Sequence, residues 1–282
     1  MEMLSSVLPA VASLTAMGAV FGGVLGFAAK LFAVETDERI PMIIDVLPGA
    51  NCGGCGYAGC AAFAAAVVEG EAQTNGCMVG GARCAAQVAA VMGTNALSVQ
   101  RRAAVVRCSG TCGNVEKKYD YTGYADCHAV NNLSGGAKMC SFACAGMGTC
   151  VRACPFGAIS IVDDVAVVDR EACTACGACA RACPKGIIVV RPYDCEHEVL
   201  CSNNQQGSAV RNVCKVGCVA CGLCVRNCSA GAITIRDNLA HIDPALCINC
   251  HTCMDQCPRN IIADLTKQTF APDYKRNESA AF

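Results

Sequence analysis

The sequence predicts an α+β protein in which an N-terminal membrane-spanning helix precedes a small helical domain and two tandem repeat units. Three observations lead to this fold class. Residues Met3 to Ala29 carry no charge, 27 of the 282 residues are cysteine, and one long cysteine pattern occurs twice. The first observation predicts the helix, and the other two predict small domains organised around sulfur.

The composition excludes several classes of protein. The formal net charge is −1, from 22 basic and 23 acidic side chains, whereas a nucleic-acid-binding protein usually carries a basic excess. With 54% hydrophobic and 16% charged residues, the chain is too apolar to be disordered. Tryptophan is absent and aromatic residues make up 5%, so ordinary core material is scarce. The cysteines therefore indicate disulfides or metal–thiolate sites.

The uncharged N-terminal run is long enough to cross a membrane, because about 20 helical residues span the hydrocarbon core. Glu2 stands where a signal peptide needs positive charge, which favours an uncleaved single-pass anchor. Lys30 follows the run directly and Arg39 lies nearby, so the positive-inside tendency places the remaining domains in the cytoplasm.

The first cysteine group follows a short charged link. Glycines between its members let the backbone wrap tightly and direct several N–H groups at sulfur. Helices are predicted over 61–69 and 82–92. Four thiolates suit a [4Fe–4S] cluster, although a structural zinc site uses the same number. The group has the spacing C-x2-C-x4-C-x16-C and consists of Cys52, Cys55, Cys60 and Cys77.

The strongest feature is an internal duplication with an offset of 74 positions, in which each unit holds two cysteine runs. The first unit contains Cys140, Cys144, Cys150, Cys154, Cys173, Cys176, Cys179 and Cys183. Their counterparts are Cys214, Cys218, Cys224, Cys228, Cys247, Cys250, Cys253 and Cys257.

A β-hairpin is predicted between the two cysteine runs of each unit. In the first unit, strands over 159–162 and 165–168 flank Asp163 and Asp164. In the second unit, strands over 233–236 and 239–242 flank Asp237 and Asn238. Two C-x2-C-x2-C-x3-C runs are typical of two-cluster bacterial ferredoxins, in which the fourth cysteine of each run binds the other cluster.

The duplicated units resemble bacterial ferredoxins, and the order of the whole chain resembles the polyferredoxin (B) subunit of the Rnf complexes. The segment LPGANCGGCGYAGC, from Leu47 to Cys60, closely matches that family. The resemblance implies a membrane-anchored electron-transfer subunit without an active site of its own. It implies that reduced soluble ferredoxin donates electrons, which pass toward the membrane subunits and other peripheral subunits. The complex would couple ferredoxin oxidation and NAD+ reduction to Na+ or H+ translocation.

The ferredoxin resemblance implies three regular ligand sets. Each set takes three cysteines from one run and the fourth from the other run of the same unit. The sets are Cys218, Cys221, Cys224 with Cys257; Cys247, Cys250, Cys253 with Cys228; and Cys173, Cys176, Cys179 with Cys154.

The remaining site of the first unit is irregular. Met147 stands where the repeat has Cys221, so Cys144, Cys150 and Cys183 lack a fourth thiol. We expect Cys140 to complete this set. A three-iron cluster, or a ligand from outside the family pattern, is the alternative. Together with the first cysteine group, this makes five [4Fe–4S] clusters.

A sixth cluster is left open by the seven cysteines outside these sets. Cys84, Cys108, Cys112 and Cys127 could form it, with Cys140 as a competing fourth ligand. Buried cysteines that bind nothing are the alternative interpretation. Cys195, Cys201 and Cys214 remain unassigned, and Cys214 is interpreted as a relic of the repeat.

Basic residues beside the cysteine runs are candidates for docking a soluble acidic ferredoxin. Ordinary solvated charge is the alternative for all of them. The four histidines are interpreted as structural or surface residues, and the sequence has no phosphate-binding glycine motif. The basic candidates are Lys138, Arg152, Arg181, Lys185, Lys215, Arg226 and Arg259.

The predicted domains follow from these patterns. They are an anchor at 1–34, a four-cysteine domain at 35–95, a cysteine-containing connector at 96–134, ferredoxin units at 135–192 and 193–265, and a tail at 266–282. Three other interpretations remain: a polyferredoxin of another membrane oxidoreductase, a structural zinc-thiolate protein, and a secreted disulfide protein.

Overall fold

The structure is a computed structural model that describes residues 2–31 and 37–267. The helices in these ranges are α1 (Glu2–Leu31), α2 (Arg39–Val46), α3 (Cys60–Val68), α4 (Gly81–Val91), α5 (Cys127–Asn132), α6 (Thr149–Arg152), α7 (Ala178–Ala182), α8 (Gly207–Val213), α9 (Leu223–Arg226) and α10 (Thr252–Asp255). The strands are β1 (Arg102–Val106), β2 (Ile159–Val162), β3 (Val165–Val168), β4 (Ile188–Pro192), β5 (His197–Val199), β6 (Ile233–Arg236), β7 (Leu239–Ile242) and β8 (Ile262–Asp264).

Helix α1 contains the predicted apolar run and is 30 residues long. Its segment Val11–Ala28 has a mean hydropathy of 1.8, and none of that segment is buried in the protein. Among the helices in the described ranges, α1 alone has the length and composition to cross a membrane. The predicted C-terminal tail lies almost wholly outside the described residues.

The first cysteine domain is a cluster of three helices, α2, α3 and α4. They pack around Ile43, Phe63 and Val88, each of which is at most 1% exposed. Helices α3 and α4 lie within a residue of the bounds that the sequence predicts. Helix α3 consists mainly of alanine and valine, so it adds little apolar area to the core.

Both predicted hairpins are present with the predicted strand bounds. Strands β2 and β3 are antiparallel, as are β6 and β7. Each turn has two central residues with positive φ, at Asp163 and Asp164 and at Asp237 and Asn238. Aspartate and asparagine tolerate this conformation better than most residues, and such turns match the twist of a hairpin.

Each repeat unit also has a second strand pair that the sequence does not predict. In the first unit β1 pairs antiparallel with β4, with Ala104 opposite Val190. In the second unit β5 pairs antiparallel with β8, with Glu198 opposite Ala263. The segment 96–134, predicted as a connector, therefore contributes a strand to the first unit, which closes its core.

A buried ion cluster joins the two units. Glu198 on β5 is 1% exposed. Its carboxylate lies 2.6 Å from Arg191 Nε on β4 and 3.5 Å from Arg107 Nε, one residue beyond β1. Because both arginines belong to the first unit, their charges hold the second unit against it.

Candidate metal centres

The cysteines all lie within the described residues, and none of them forms a disulfide bond. Most line cavities of about 310 to 380 Å³, each with four cysteines in its wall. Within the described ranges, no three His, Cys, Asp or Glu side chains converge closely enough to hold a single metal ion. The thiols face shared spaces instead.

The first cavity is formed in the helical domain by Cys52, Cys55, Cys60 and Cys77. Asn51 shapes the loop, because its Oδ1 accepts a hydrogen bond from the Cys60 N–H at 2.9 Å where α3 begins. The N–H of Gly80 donates to Cys77 Sγ at 3.4 Å. The predicted group is therefore brought together.

In the repeat units, a left-handed residue precedes each of the short helices α6, α7, α9 and α10. Three of these residues are glycines with φ near +73°, and His251 takes the place with φ +62°. The reversal turns the chain so that the third cysteine of each run points inward from the helix. These four buried cysteines are Cys150, Cys179, Cys224 and Cys253.

The second unit brings together both sets that the sequence predicts. One cavity is lined by Cys218, Cys221, Cys224 and Cys257. The other is lined by Cys228, Cys247, Cys250 and Cys253. Each cavity thus takes one thiol from the other run, which is the crossed arrangement of two-cluster ferredoxins.

The regular set of the first unit is also gathered. Cys179 lies within electrostatic range of Cys173, Cys176 and Cys154. The backbone N–H of Ala104 on β1 donates to Cys173 Sγ at 3.4 Å. Strand β1 therefore supports this group directly.

The irregular set of the first unit is completed by a different residue from the one predicted. Cys144, Cys150 and Cys183 share their cavity with Cys127, on the first turn of α5. Cys140, which we expected there, lines another cavity. Sequence spacing favours Cys140 because it is nearer than Cys127 to the other three cysteines in the chain. The fold instead brings α5, from the connector segment, against their cavity.

The position of Cys127 is determined by a small polar network. Asp126 caps α5 by accepting from the N–H groups of His128 and Ala129. Thr149 Oγ1, on helix α6 of the cysteine run, accepts from the Cys127 N–H at 2.8 Å and donates to Asp126. The network ties α5 to the run. Cys127 thereby supplies the fourth thiol that the run lacks because Met147 is not a cysteine.

The predicted sixth set is not brought together. Cys84 lies in the first domain, hydrogen-bonded to Cys77. Cys112 is exposed, Cys127 belongs to the first-unit cavity, and Cys108 lines a different cavity. The four residues are thus divided among four places.

The donor chemistry of these cavities fits iron–sulfur clusters. Burial raises the pKa of the Cys150 and Cys179 thiols to about 12, and neighbouring thiols add to the rise. Ionised sulfur there needs a positive partner such as iron. In the first domain, the Cys84 thiol donates to Cys77 and lowers the pKa of Cys77 to about 6.

The basic candidates for ferredoxin docking bind backbone carbonyls instead of standing free. Lys138 is 5% exposed and donates to the carbonyls of Gly110 and Asp164, both at 2.7 Å. Lys185 donates to the carbonyls of Gly135 and Ser141. The carbonyl acceptors of the others include Met147 and Ala125 for Arg152, Cys52 for Arg181, Gly113 for Lys215, Cys221 for Arg226, and Cys214 for Arg259.

Two histidines lie at the last cavity of the second unit. His197 is buried, and its Nε2 lies 2.8 Å from Nδ1 of His251. Both rings line the cavity with Cys228 and Cys250. Cys195, nearby, donates its thiol to the His197 carbonyl at 3.4 Å.

Neighbouring cysteine groups touch one another through the backbone. A Cβ added at Gly54 in the first group would lie 2.8 Å from the carbonyl oxygen of Cys176, so only glycine permits this approach. Within each unit the two groups adjoin, since Cys150 is in electrostatic range of Cys179 and Cys224 of Cys253. The first group therefore adjoins one group of the first unit, and the two groups of each unit adjoin one another.

Three family models match the chain. The FeS model, an Fe-S cluster family, covers residues 47–79, and two models of a 4Fe-4S dicluster domain cover 143–188 and 217–261. These matches and the cysteine groups define the class: an iron–sulfur electron-transfer protein with one candidate membrane-spanning helix.

Curated relatives narrow the class to a family. The B subunit of the proton-translocating ferredoxin:NAD(+) oxidoreductase complex of Clostridium ljungdahlii is 43% identical, over 99% of both chains. The Na(+)-translocating counterpart of Acetobacterium woodii is 45% identical over 93% of this chain and 79% of its own. The B subunit of the ion-translocating oxidoreductase complex of Methanosarcina acetivorans is 40% identical over 92% of this chain and 99% of its own. The chain belongs to the family of Rnf complex B subunits.

Proposed function

We propose that this chain relays single electrons from reduced ferredoxin toward the membrane subunits of an Rnf-type complex. The observation that carries the proposal is the set of adjoining four-cysteine groups, because electron tunnelling needs short steps between neighbouring centres. The complex couples this transfer to NAD+ reduction and to Na+ or H+ translocation, and NAD+ binds to another subunit.

Five four-cysteine groups would each hold a [4Fe–4S] cluster, and all of their thiols except that of Cys127 lie within the family-model matches. Such clusters pass one electron with little rearrangement, and N–H bonds to their ligand sulfurs tune the reduction potentials. The ligands are Cys52, Cys55, Cys60 and Cys77; Cys154, Cys173, Cys176 and Cys179; Cys127, Cys144, Cys150 and Cys183; Cys218, Cys221, Cys224 and Cys257; and Cys228, Cys247, Cys250 and Cys253.

The domain boundaries of the proposal differ from the predicted ones at one point. The first ferredoxin unit includes β1 and α5 as well as 135–192, because β1 pairs with β4 and α5 supplies Cys127. The anchor at 1–34, the first cysteine domain at 35–95 and the second unit at 193–265 are retained.

Ferredoxin enters at the second unit. Cys221 and Cys250 are exposed there, so the two groups of this unit lie near the surface. Leu246 and Ile248, beside Cys247, are 53% and 65% exposed and give an apolar contact surface. Transient electron-transfer contacts are small. The exposed cysteines give a short distance between a bound ferredoxin and these groups, and the two apolar side chains give a small contact surface.

The exit is at the first cysteine domain, which follows the anchor helix in the chain. Helix α1 spans the cell membrane once, and the cluster domains lie on the cytoplasmic side. Lys30 at the end of α1 and Arg39 beyond it support this orientation through the positive-inside tendency.

The direction of transfer is tested in the intact complex, purified anaerobically and reduced with ferredoxin. Cys250→Ala should prevent ferredoxin from reducing the remaining clusters, as followed by electron paramagnetic resonance. Cys55→Ala should leave that reduction intact but stop NAD+ reduction. Cys112→Ala, at an exposed cysteine outside every group, is the control. If Cys55→Ala blocks entry and Cys250→Ala does not, the proposed direction is overturned.

A further inference from the structure

The thiols of one four-cysteine cavity lie outside all three family-model matches. It has a volume of about 310 Å³ and lies between the two ferredoxin units. The family models cover 47–79, 143–188 and 217–261, so they include none of its thiols. The cysteines in its wall are Cys108, Cys140, Cys201 and Cys214.

The four thiols form two pairs of equivalent residues. Cys140 and Cys214 are counterparts in the repeat, 74 positions apart. Cys108 and Cys201 each follow the extra strand of their unit, β1 or β5. The N–H of Cys108 donates to the Val106 carbonyl at 2.9 Å, and that of Cys201 donates to the Val199 carbonyl at 2.8 Å. Each unit therefore contributes one pair from the same places in its fold.

The hydrogen bonds to sulfur show the same correspondence. Cys108 Sγ accepts from the N–H groups of Gly110, at 3.3 Å, and Cys144, at 3.2 Å. Cys201 Sγ accepts from the N–H groups of Asn203 and Cys218, which hold the corresponding places. Backbone donors aimed at sulfur stabilise thiolate ligands of iron–sulfur clusters.

The surroundings also suit a negatively charged thiolate cluster. Apolar side chains close the cavity, including Val115, Leu200 and Ile261. Asn203, 1% exposed, directs Nδ2 at Cys140 Sγ at 3.5 Å. The Lys185 ammonium group lies within electrostatic range of Cys140 and Cys108, where its positive charge would stabilise thiolate ligands.

We propose that Cys108, Cys140, Cys201 and Cys214 hold a sixth [4Fe–4S] cluster that bridges the two ferredoxin units. On one side, Cys144 belongs to the neighbouring group of the first unit and donates to Cys108. On the other side, Cys218 belongs to the neighbouring group of the second unit and donates to Cys201. When bound, the cluster accepts one electron from one neighbour and releases one electron to the other, without transfer of atoms.

This assignment gives Cys140, Cys201 and Cys214 a common role. Cys214 is a ligand in its own right instead of a relic of the repeat. With the sixth site, 24 of the 27 cysteines are ligands, which leaves Cys84, Cys112 and Cys195.

The test is the cluster content of the full chain after anaerobic purification. Native mass spectrometry of the unaltered protein should show six cubanes, about 24 iron and 24 sulfide. Cys201→Ala should lose about four iron and four sulfide, whereas Cys112→Ala should lose none. The iron and sulfide content of the unaltered protein tests the inference even if the Cys201→Ala variant fails to fold.

Five cubanes in the unaltered protein, or a zinc ion in this cavity, would overturn the inference. Five cubanes with normal ferredoxin-dependent electron transfer would leave the proposed function standing. A protein without iron would contradict both.

Discussion

Arg181 Nη2 donates to the carbonyl oxygen of Cys52 at 2.6 Å, across 129 positions of the chain. Arg181 lies on α7, in the second cysteine run of the first ferredoxin unit, and Cys52 belongs to the first cysteine domain. The same guanidinium also donates to the carbonyl oxygen of Cys176, within its own run, at 3.3 Å. One side chain thus joins two neighbouring cysteine groups, at the place where Gly54 lets their backbones touch.

Arg181→Met should loosen this contact, because a hydrogen bond to a charged group contributes roughly 1.5–3 kcal/mol. We expect faster amide hydrogen exchange in the loop around Cys52 and slower electron transfer out of the ferredoxin units. Arg226→Met is the matched control, because among the described residues the Arg226 guanidinium donates to the Cys221 carbonyl of its own run and to no other cysteine group. Equal effects of the two variants would show that the Arg181 contact has no special role.

Cys127→Ala should remove the cluster of the group that contains Cys144, Cys150 and Cys183. The expected loss is about four iron per chain, or conversion of that cluster to a three-iron form with its own electron paramagnetic resonance signal. Thr149→Val should weaken the same cluster, because Thr149 binds the Cys127 N–H. Were Cys127→Ala to retain every cluster intact, the placement of Cys127 as a ligand would be wrong.

Cys84→Ala should lower the reduction potential of the first cluster without removing it. The Cys84 thiol donates to Cys77, and a hydrogen bond to a ligand sulfur stabilises the reduced, more negative cluster. A bond worth roughly 0.5–1.5 kcal/mol corresponds to a shift of about 20–65 mV for one electron. Redox titration followed by spectroscopy measures the shift.

Cys195→Ala is the control for that shift, because Cys195 is buried but donates to a backbone carbonyl in the second unit. If Cys84→Ala instead empties the first site, Cys84 is a ligand and not a hydrogen-bond donor.

Glu198→Gln should destabilise the junction of the two ferredoxin units by roughly 3–5 kcal/mol, because it leaves two arginine charges near a buried site with no carboxylate. We expect earlier urea unfolding and faster loss of visible absorbance. Glu171→Gln is the comparison, since the Arg101–Glu171 pair is solvent-exposed and should contribute far less. A Glu198→Gln protein as stable as the parent would show that the ion cluster does not hold the units together.

The repeat could be predicted in detail from sequence because its signals are local. The hairpin strands have alternating apolar residues and turns of aspartate and asparagine, and their bounds match the structure. Three of the four ferredoxin-type groups follow from spacing along the chain. The position of Cys127 does not, because α5 reaches its cavity through contacts of Asp126 and Thr149 with a distant run.

The pairing of β1 with β4, and of β5 with β8, was not predictable for the same reason. The strands of each pair are separated by a whole ferredoxin motif, and β5 and β8 have only three residues each. The two segments nevertheless share a local pattern, because Cys108 and Cys201 each lie two residues beyond a strand and are each followed by serine. This shared pattern extends the repeat to two segments that the 74-position offset does not match.

Iron, zinc and acid-labile sulfide analysis of the full chain, purified anaerobically, tests the central claim most directly. The account predicts equal amounts of iron and sulfide, at least about 20 of each per chain, and broad visible absorbance that dithionite bleaches. A natively folded, colourless protein without iron, or one with zinc in its thiolate sites, would contradict it.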